Sequence, residues 1–241
     1  MDQAIAGKFK KSALPIWHGY PWRKITHPKT WTAFTAAAIR EHGKALIETV
    51  PFDIGWHCPK YPQMNEEQRV GFWIRLISVL GESESSMNPL LVHRDTPVGP
   101  NIFSTGLLQI SLVSAQQAKW GCTMIQKQDD LFEWRKNITC AVKIMNQLMI
   151  EDKALSYSTN LPSKQTWYGL SRYWGPFRDS RIKVPEKRVC INEVVEQRRP
   201  DWIKDSKSDR HPSNTTSEYK AAGEKNFEKI MRFLNYFPYC N

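Results

Sequence analysis

Glu84 stands where an apolar helix gives out, and its surroundings suit a proton donor. The run Asn65-Glu66-Glu67-Gln68 reads as a helix start, with Asn65 as cap and Gln68 three residues on as its reciprocal partner. Val70, Trp73, Ile74, Ile77 and Leu80 then recur at helical spacing, which predicts one buried face. Asn88-Pro89 ends the helix just beyond Glu84. A carboxyl at such a last turn lies near the negative end of the helix dipole and against apolar side chains. Both effects disfavour the ionised form and raise its pKa, as a general acid working near neutral pH requires. About twenty residues on, Gly106-Leu107-Leu108-Gln109-Ile110 supplies a glycine-led backbone segment. Backbone groups at Ser104, Thr105 and Gly106 could approach a ligand there, and Gln109 could offer it an amide or turn to Glu84. Ordinary turn hydrogen bonds are the alternative for each of these groups.

These segments resemble the two leading motifs of the lysozyme-like soluble lytic transglycosylases, Glu-Ser-x-x-Asn-Pro and Gly-Leu-Met-Gln-Ile. The first is matched by Glu84, Ser85, Asn88 and Pro89, and the second carries Leu108 in place of Met. Reading Glu82-Ser83 as the motif would place Asn-Pro two residues too late, so Glu82 is assigned to a solvated helix end. The resemblance covers roughly residues 58 to 180 and implies that Glu84 is the single acid/base. It implies a substrate-binding set of Ser85, Ser104, Thr105, Gly106, Gln109 and Ile110. A third family motif, Ala-Tyr-Asn-Ala-Gly, is reduced here to Tyr173-Trp174-Gly175, so Tyr173 takes the tyrosine's place beside the acid and Tyr168 is the fallback. An aromatic cluster at a core edge is the other reading of that stretch. Asp95, eleven positions after Glu84, either orients water or caps a turn. Family members with strict lysozyme activity often carry a second carboxylate in this stretch. Cys58-Pro59 and Tyr173-Trp174 resemble a bacterial subgroup that includes a predatory-bacterium lysozyme acting on deacetylated peptidoglycan.

The reaction so implied is cleavage of the β-1,4 bond between N-acetylmuramic acid and N-acetylglucosamine. Hydrolysis is expected over anhydro-sugar formation, because the third motif is disrupted and Asp95 is available. A domain that binds glycan without cutting it is the non-enzymatic alternative. The implied fold is mainly helical, α+β in the lysozyme manner, with a cleft beside a small loop-and-strand lobe drawn from residues 99 to 110.

Composition is compatible with that outline. Hydrophobic residues make up 41% and charged residues 24% of 241, which suits a folded domain with attached segments. No apolar run is long enough to span a bilayer. The first seven residues contain no apolar signal core, so a leader already removed is expected for a secreted or periplasmic protein. The balance of 34 basic against 24 acidic residues, +10, favours polyanionic partners such as the bacterial wall. Nucleic acid is not expected, since no helix-turn-helix, zinc finger or basic aromatic strand is present. A monomer is expected. Cysteines and histidines lack ligand spacing, so neither a metal nor a cofactor is expected. Of the five cysteines, Cys122 and Cys140 flank a short connection and are the first pair to bridge. Two bridges would leave one thiol over.

Three parts are expected. Residues 1–50 form an extended arm and a helix from Thr30 to Thr49. Residues 51–180 form the catalytic domain, and 181–241 a charged extension with a terminal helix docked on the domain and held by Cys240. Within the middle part, Pro51 to Pro62 and His93 to Phe103 read as loops, and Ala115 to Lys119 as a helix capped by Ser111 and stopped by Gly121. Glu133 to Ile150 reads as a helix with a stripe of Trp134, Ile138, Ala141, Val142, Met145 and Met149. Ser156 to Lys164 reads as a polar loop, and Trp167 to Trp174 as helical.

Overall fold

The computed structural model describes residues 28–95, 101–161, 164–178, 230–231 and 237–240. The expected N-terminal arm, the charged stretch from Asp179 on, Cys190 and most of the expected terminal helix lie outside these residues.

Two helices open the described chain, α1 (Pro28–His42) and α2 (Lys44–Glu48). One helix was expected across both. Gly43 breaks it: its N–H still reaches Ile39 O at 2.7 Å, but a side chain there would strike the same carbonyl. The stretch read as a loop from Pro51 holds a short helix, α3 (Ile54–His57), and a 3₁₀ turn at Tyr61–Gln63.

The long helix α4 (Glu66–Ser85) starts at the expected capping box: Asn65 Oδ1 accepts from Gln68 N at 3.0 Å, and Gln68 Oε1 accepts from Asn65 N at 2.9 Å. Its middle is buried on every side, since Phe72, Leu76 and Val79 are as covered as Trp73, Ile77 and Leu80. One buried face was therefore too narrow an expectation, because α4 is the central helix of the domain. Trp73 Nε1 and Tyr61 Oη both donate to Leu46 O, at 2.7 and 2.8 Å, which ties α2 to α4 without leaving a buried donor unpaired.

After α4 the chain forms an antiparallel sheet, β1 (Val92–Arg94), β2 (Phe103–Thr105) and β3 (Ile110–Ser111), in that order. His93 pairs with Ser104, and Ser104 with Ser111. The loop expected from His93 to Phe103 is thus shorter, held at its base by Asp95 N donating to Ile102 O at 2.8 Å. Ser111 caps α5 (Leu112–Ala115) as expected, its side chain accepting from Ser114 N. The helix stops early and resumes as a 3₁₀ turn at Ala118–Trp120, ended by left-handed Gly121.

Helix α6 (Trp134–Asp152) is capped by Glu133, whose carboxylate accepts from Arg135 N and Lys136 N at 3.1 Å each. Its apolar stripe enters the core, where Ile138, Ala141, Val142, Met145 and Met149 are all buried. The next segment corrects the sequence reading. Ser156–Leu161 and Lys164–Gly169 are strands, β4 and β5, paired as an antiparallel hairpin, in place of a polar loop and a helix. Tyr157, Thr159, Thr166, Trp167 and Tyr168 are β-branched or aromatic residues that favour extended backbone, and the serines between them disguised the strand as a loop. Between β5 and Arg178, helical geometry returns in 3₁₀ turns at Leu170–Arg172 and Gly175–Phe177.

Among the described residues, two disulfides close the structure. Cys122–Cys140 is the pair expected first, and Cys58–Cys240 joins residues 182 apart. The second draws the C-terminal segment onto the back of α4, where Phe237 packs over Gly71 and against Phe72. Disulfides of this kind fit an extracytoplasmic compartment. Among the described residues no helix is long and apolar enough to cross a membrane.

Candidate active site

Helix α4 ends one residue after Glu84 turns out of the core. Ser86 and Met87 both adopt left-handed backbone, at φ 51° and 67°, and their N–H groups bond back to Glu82 O and Gly81 O. Met87 is thereby folded inward, where it meets Gly81 and Leu107. One small cluster thus locks the Glu84 segment to the Gly106–Ile110 segment. Asn88 finishes the turn, its Oδ1 accepting from Leu90 N at 3.0 Å.

The Gly106–Ile110 turn is braced from behind by Asn137 of α6, which is fully buried. Its Nδ2 donates to Thr105 O and Leu131 O at 3.0 Å each, and its Oδ1 accepts from Leu108 N at 2.9 Å. Gly106 has φ +80°, and a Cβ there would lie 2.2 Å from Leu131 O and 2.5 Å from Asn137 Nδ2. The glycine is therefore required by a close approach of protein, where a close approach of ligand was expected. Gln109 is likewise committed. Its amide nitrogen donates to Gly106 O at 2.8 Å and Leu91 O at 3.2 Å, so the amide tightens the turn and does not reach out to Glu84.

The other expected site residues divide the same way. Ser85 is buried and donates to Gly81 O at 3.0 Å. Thr105 is buried, its hydroxyl accepting from Gln128 Nε2, and Ile110 is part of the core. Ser104 is half-buried in the middle strand. Tyr168 lies in a separate small cluster, stacked on Tyr157 with ring centres 4.5 Å apart, and is not the tyrosine of the site.

Tyr173 is brought to Glu84. It sits edge-on to Trp120 at 6.2 Å and tilted on Trp174 at 4.5 Å, and Trp174 Nε1 donates to Leu108 O at 2.9 Å. Its hydroxyl is buried and makes no well-formed hydrogen bond, although the Ser114 side chain and the Ser111 backbone are near enough to interact with it. Burial, helped by the charge of Glu84, pushes the phenol up to about 12, so it stays a neutral donor at every working pH.

Electrostatics single out Glu84. Burial raises its carboxyl from 4.5 to about 8, opposed by the charge of Arg178 and reinforced by that of Asp95. At neutral pH this group holds its proton. Asp95, half-buried at the end of β1, is near enough for its charge to count at Glu84. Arg178 was missed. It follows Gly175-Pro176-Phe177, and nothing in its local sequence sets it apart from the many other cations of the chain.

The end of α4 thus carries a carboxyl that burial keeps protonated near neutral pH, with Arg178 and Asp95 near enough for their charges to act on it. Residues 62–159 match the transglycosylase SLT domain family. The fold is similar to solved structures of DslA, a Bdellovibrio lysozyme-like protein. A glutamate-to-glutamine mutant of DslA aligns with TM-score 0.65 and 19% identity over 96% of this chain and 100% of that one. The wild-type form gives 0.58 and 24% over 74% and 91%, and a second glutamate-to-glutamine mutant 0.57 and 25% over the same shares. No curated protein sequence matches. Residues 62–159 thus carry the SLT domain match on a lysozyme-like fold. Members of the SLT domain family are lytic transglycosylases or lysozyme-like muramidases, and the match supports an enzyme that acts on peptidoglycan.

Proposed function

We propose that the protein hydrolyses the β-1,4 bond between N-acetylmuramic acid and N-acetylglucosamine, or its deacetylated form, with Glu84 as general acid. The observation that carries this is the Glu84 carboxyl, held at about 8 by burial where α4 gives out. Glu84 gives its proton to the glycosidic oxygen as the C–O bond breaks and positive charge grows on the sugar ring. Water then attacks the ring carbon, and Asp95 accepts its proton or orients it. The two glutamates replaced in the DslA mutants occupy positions 143 and 154 of that chain, eleven apart. Asp95 follows Glu84 by the same interval. Tyr173, neutral and close to Glu84, supports the acid as a donor.

The transglycosylase reading is favoured by the family match itself. In it Glu84, having given its proton, takes one back from the muramyl 6-hydroxyl, which attacks in place of water and forms an anhydro sugar. Mass spectrometry of soluble products decides between them. Reducing-end muropeptides are expected, and anhydro-muropeptides alone would overturn hydrolysis. Acetylated and deacetylated sacculi, assayed in parallel, give the substrate form.

A further inference from the structure

We propose that Trp120 is a substrate-binding residue of the site: its indole N–H, buried beside Tyr173 and given no acceptor by the protein, donates to an uncharged oxygen of the bound glycan, an acetamido carbonyl or a sugar hydroxyl. The inference rests on the reading of the site as one for glycan and names a group that holds the sugar there.

Trp120 is 6% exposed, and its Nε1 has no hydrogen-bond partner. An indole N–H can only donate, and a buried donor left unpaired has given up its bonds to water for nothing in return. The fold satisfies comparable indoles. Trp174 Nε1 donates to Leu108 O at 2.9 Å and Trp73 Nε1 to Leu46 O at 2.7 Å, so Trp120 is an exception that calls for a use. Its backbone is tied down on both sides. Trp120 N donates to Gln117 O at 3.0 Å, Gly121 O accepts from Lys143 Nζ at 2.8 Å, and Cys122 is bridged to Cys140.

Contacts place this indole in the site. Tyr173 meets it edge-to-face, ring centres 6.2 Å apart at 86°, and the Tyr173 hydroxyl is likewise buried without a well-formed bond. Two uncommitted donors therefore stand on touching rings. Tyr173 is tilted on Trp174 at 4.5 Å, and Trp174 is bonded to Leu108. The adjoining Leu107 packs over Gly81, whose carbonyl accepts from Ser85 Oγ in the last turn of α4. The chain of contact thus runs from Trp120 to the helix end that carries Glu84.

The same packing says what Trp120 can bind. Lys119 Nζ lies 4.4 Å from its ring centre, and the ring is too buried for a sugar to stack on it, which leaves the N–H. A donor beside an ammonium group suits an oxygen acceptor and disfavours a deacetylated, cationic sugar at this position. Reaching the N–H requires a side chain to swing aside, and the exposed Lys119 has the flexible stem to do so.

The test is cosedimentation of Glu84→Gln, with and without Trp120→Phe, on acetylated and deacetylated sacculi, alongside melting of both proteins. Phenylalanine keeps the ring and loses the N–H. Binding should weaken about tenfold while the melting temperature holds or rises, since an unpaired donor has been removed. Weakening on acetylated sacculi alone assigns the acceptor to the acetamido carbonyl, and weakening on both assigns it to a hydroxyl. Unchanged binding by the folded variant, or weakening on deacetylated sacculi alone, would overturn the proposal. Should Trp120→Phe fail to fold, the Trp120 indole N–H resonance of Glu84→Gln serves instead. It should move as soluble muropeptides are added, and a resonance fixed to saturation would equally overturn the idea. Failure of Glu84→Gln itself to bind sacculi would remove the glycan reading as well. Neither readout uses activity, so a protein that binds through Trp120 but does not cut would contradict the proposed function and leave this inference standing.

Discussion

Replacing Glu84 by Gln should abolish activity and, above neutral pH, stabilise the fold. In the unfolded chain the carboxyl ionises near 4.5, whereas in the folded chain it holds its proton to about 8. Between those values the folded state binds a proton that the unfolded state has released, so stability falls as pH rises and levels off above 8. The full difference is 3.5 pH units, and at about 1.36 kcal/mol per unit it amounts to roughly 5 kcal/mol. Glu84 is half-buried, so solvent relaxation makes this an upper limit. Glutamine mimics the neutral acid and has no such titration. Wild type and Glu84→Gln should therefore melt together near pH 4, diverge up to about pH 8 and stay apart by a constant margin to pH 9. With about 2–4 °C per kcal/mol for a chain of this size, the variant should melt on the order of 10 °C higher at the alkaline end. The assay is calorimetric melting of both proteins across that range. Parallel curves, or a variant less stable at pH 9, would refute the burial argument for Glu84.

Activity should follow the same group, with an alkaline limb near pH 8 in the rate of wall digestion; a limb below pH 6 would assign the acid elsewhere. Cys58→Ala opens a bridge across 182 residues and should cost about 3–5 kcal/mol of stability in denaturant titrations, with little loss if the C-terminal segment docks unaided. Asn137→Ala removes three hydrogen bonds behind the Gly106–Ile110 turn. It should cost about 3 kcal/mol and lower the rate of glycan cleavage, and a variant as stable as wild type would show the brace to be dispensable.

Local chemistry made much of this site legible. The capping box at Asn65 and Gln68 marked where α4 begins, and Asn88-Pro89 marked where it must stop, so Glu84 could be placed at its end from spacing alone. The short separation of Cys122 and Cys140 was equally direct. What escaped depended on contacts distant in sequence. Gln109 and Gly106 were read as facing a ligand because their partners, Leu91, Leu131 and Asn137, come from three other segments. Arg178 carries no local signature, and its meaning comes only from the carboxyls that it meets in space. The β4–β5 hairpin was hidden by its serines, whose polarity imitates a loop when the pairing strand is not in view.

The most direct measurement is release of soluble muropeptides from purified sacculi by wild type and Glu84→Gln at equal concentration. Wild type should release them, and the glutamine variant should be slower by a factor of about 100 or more while melting as a folded protein. Release at the wild-type rate would mean that the proton comes from another residue.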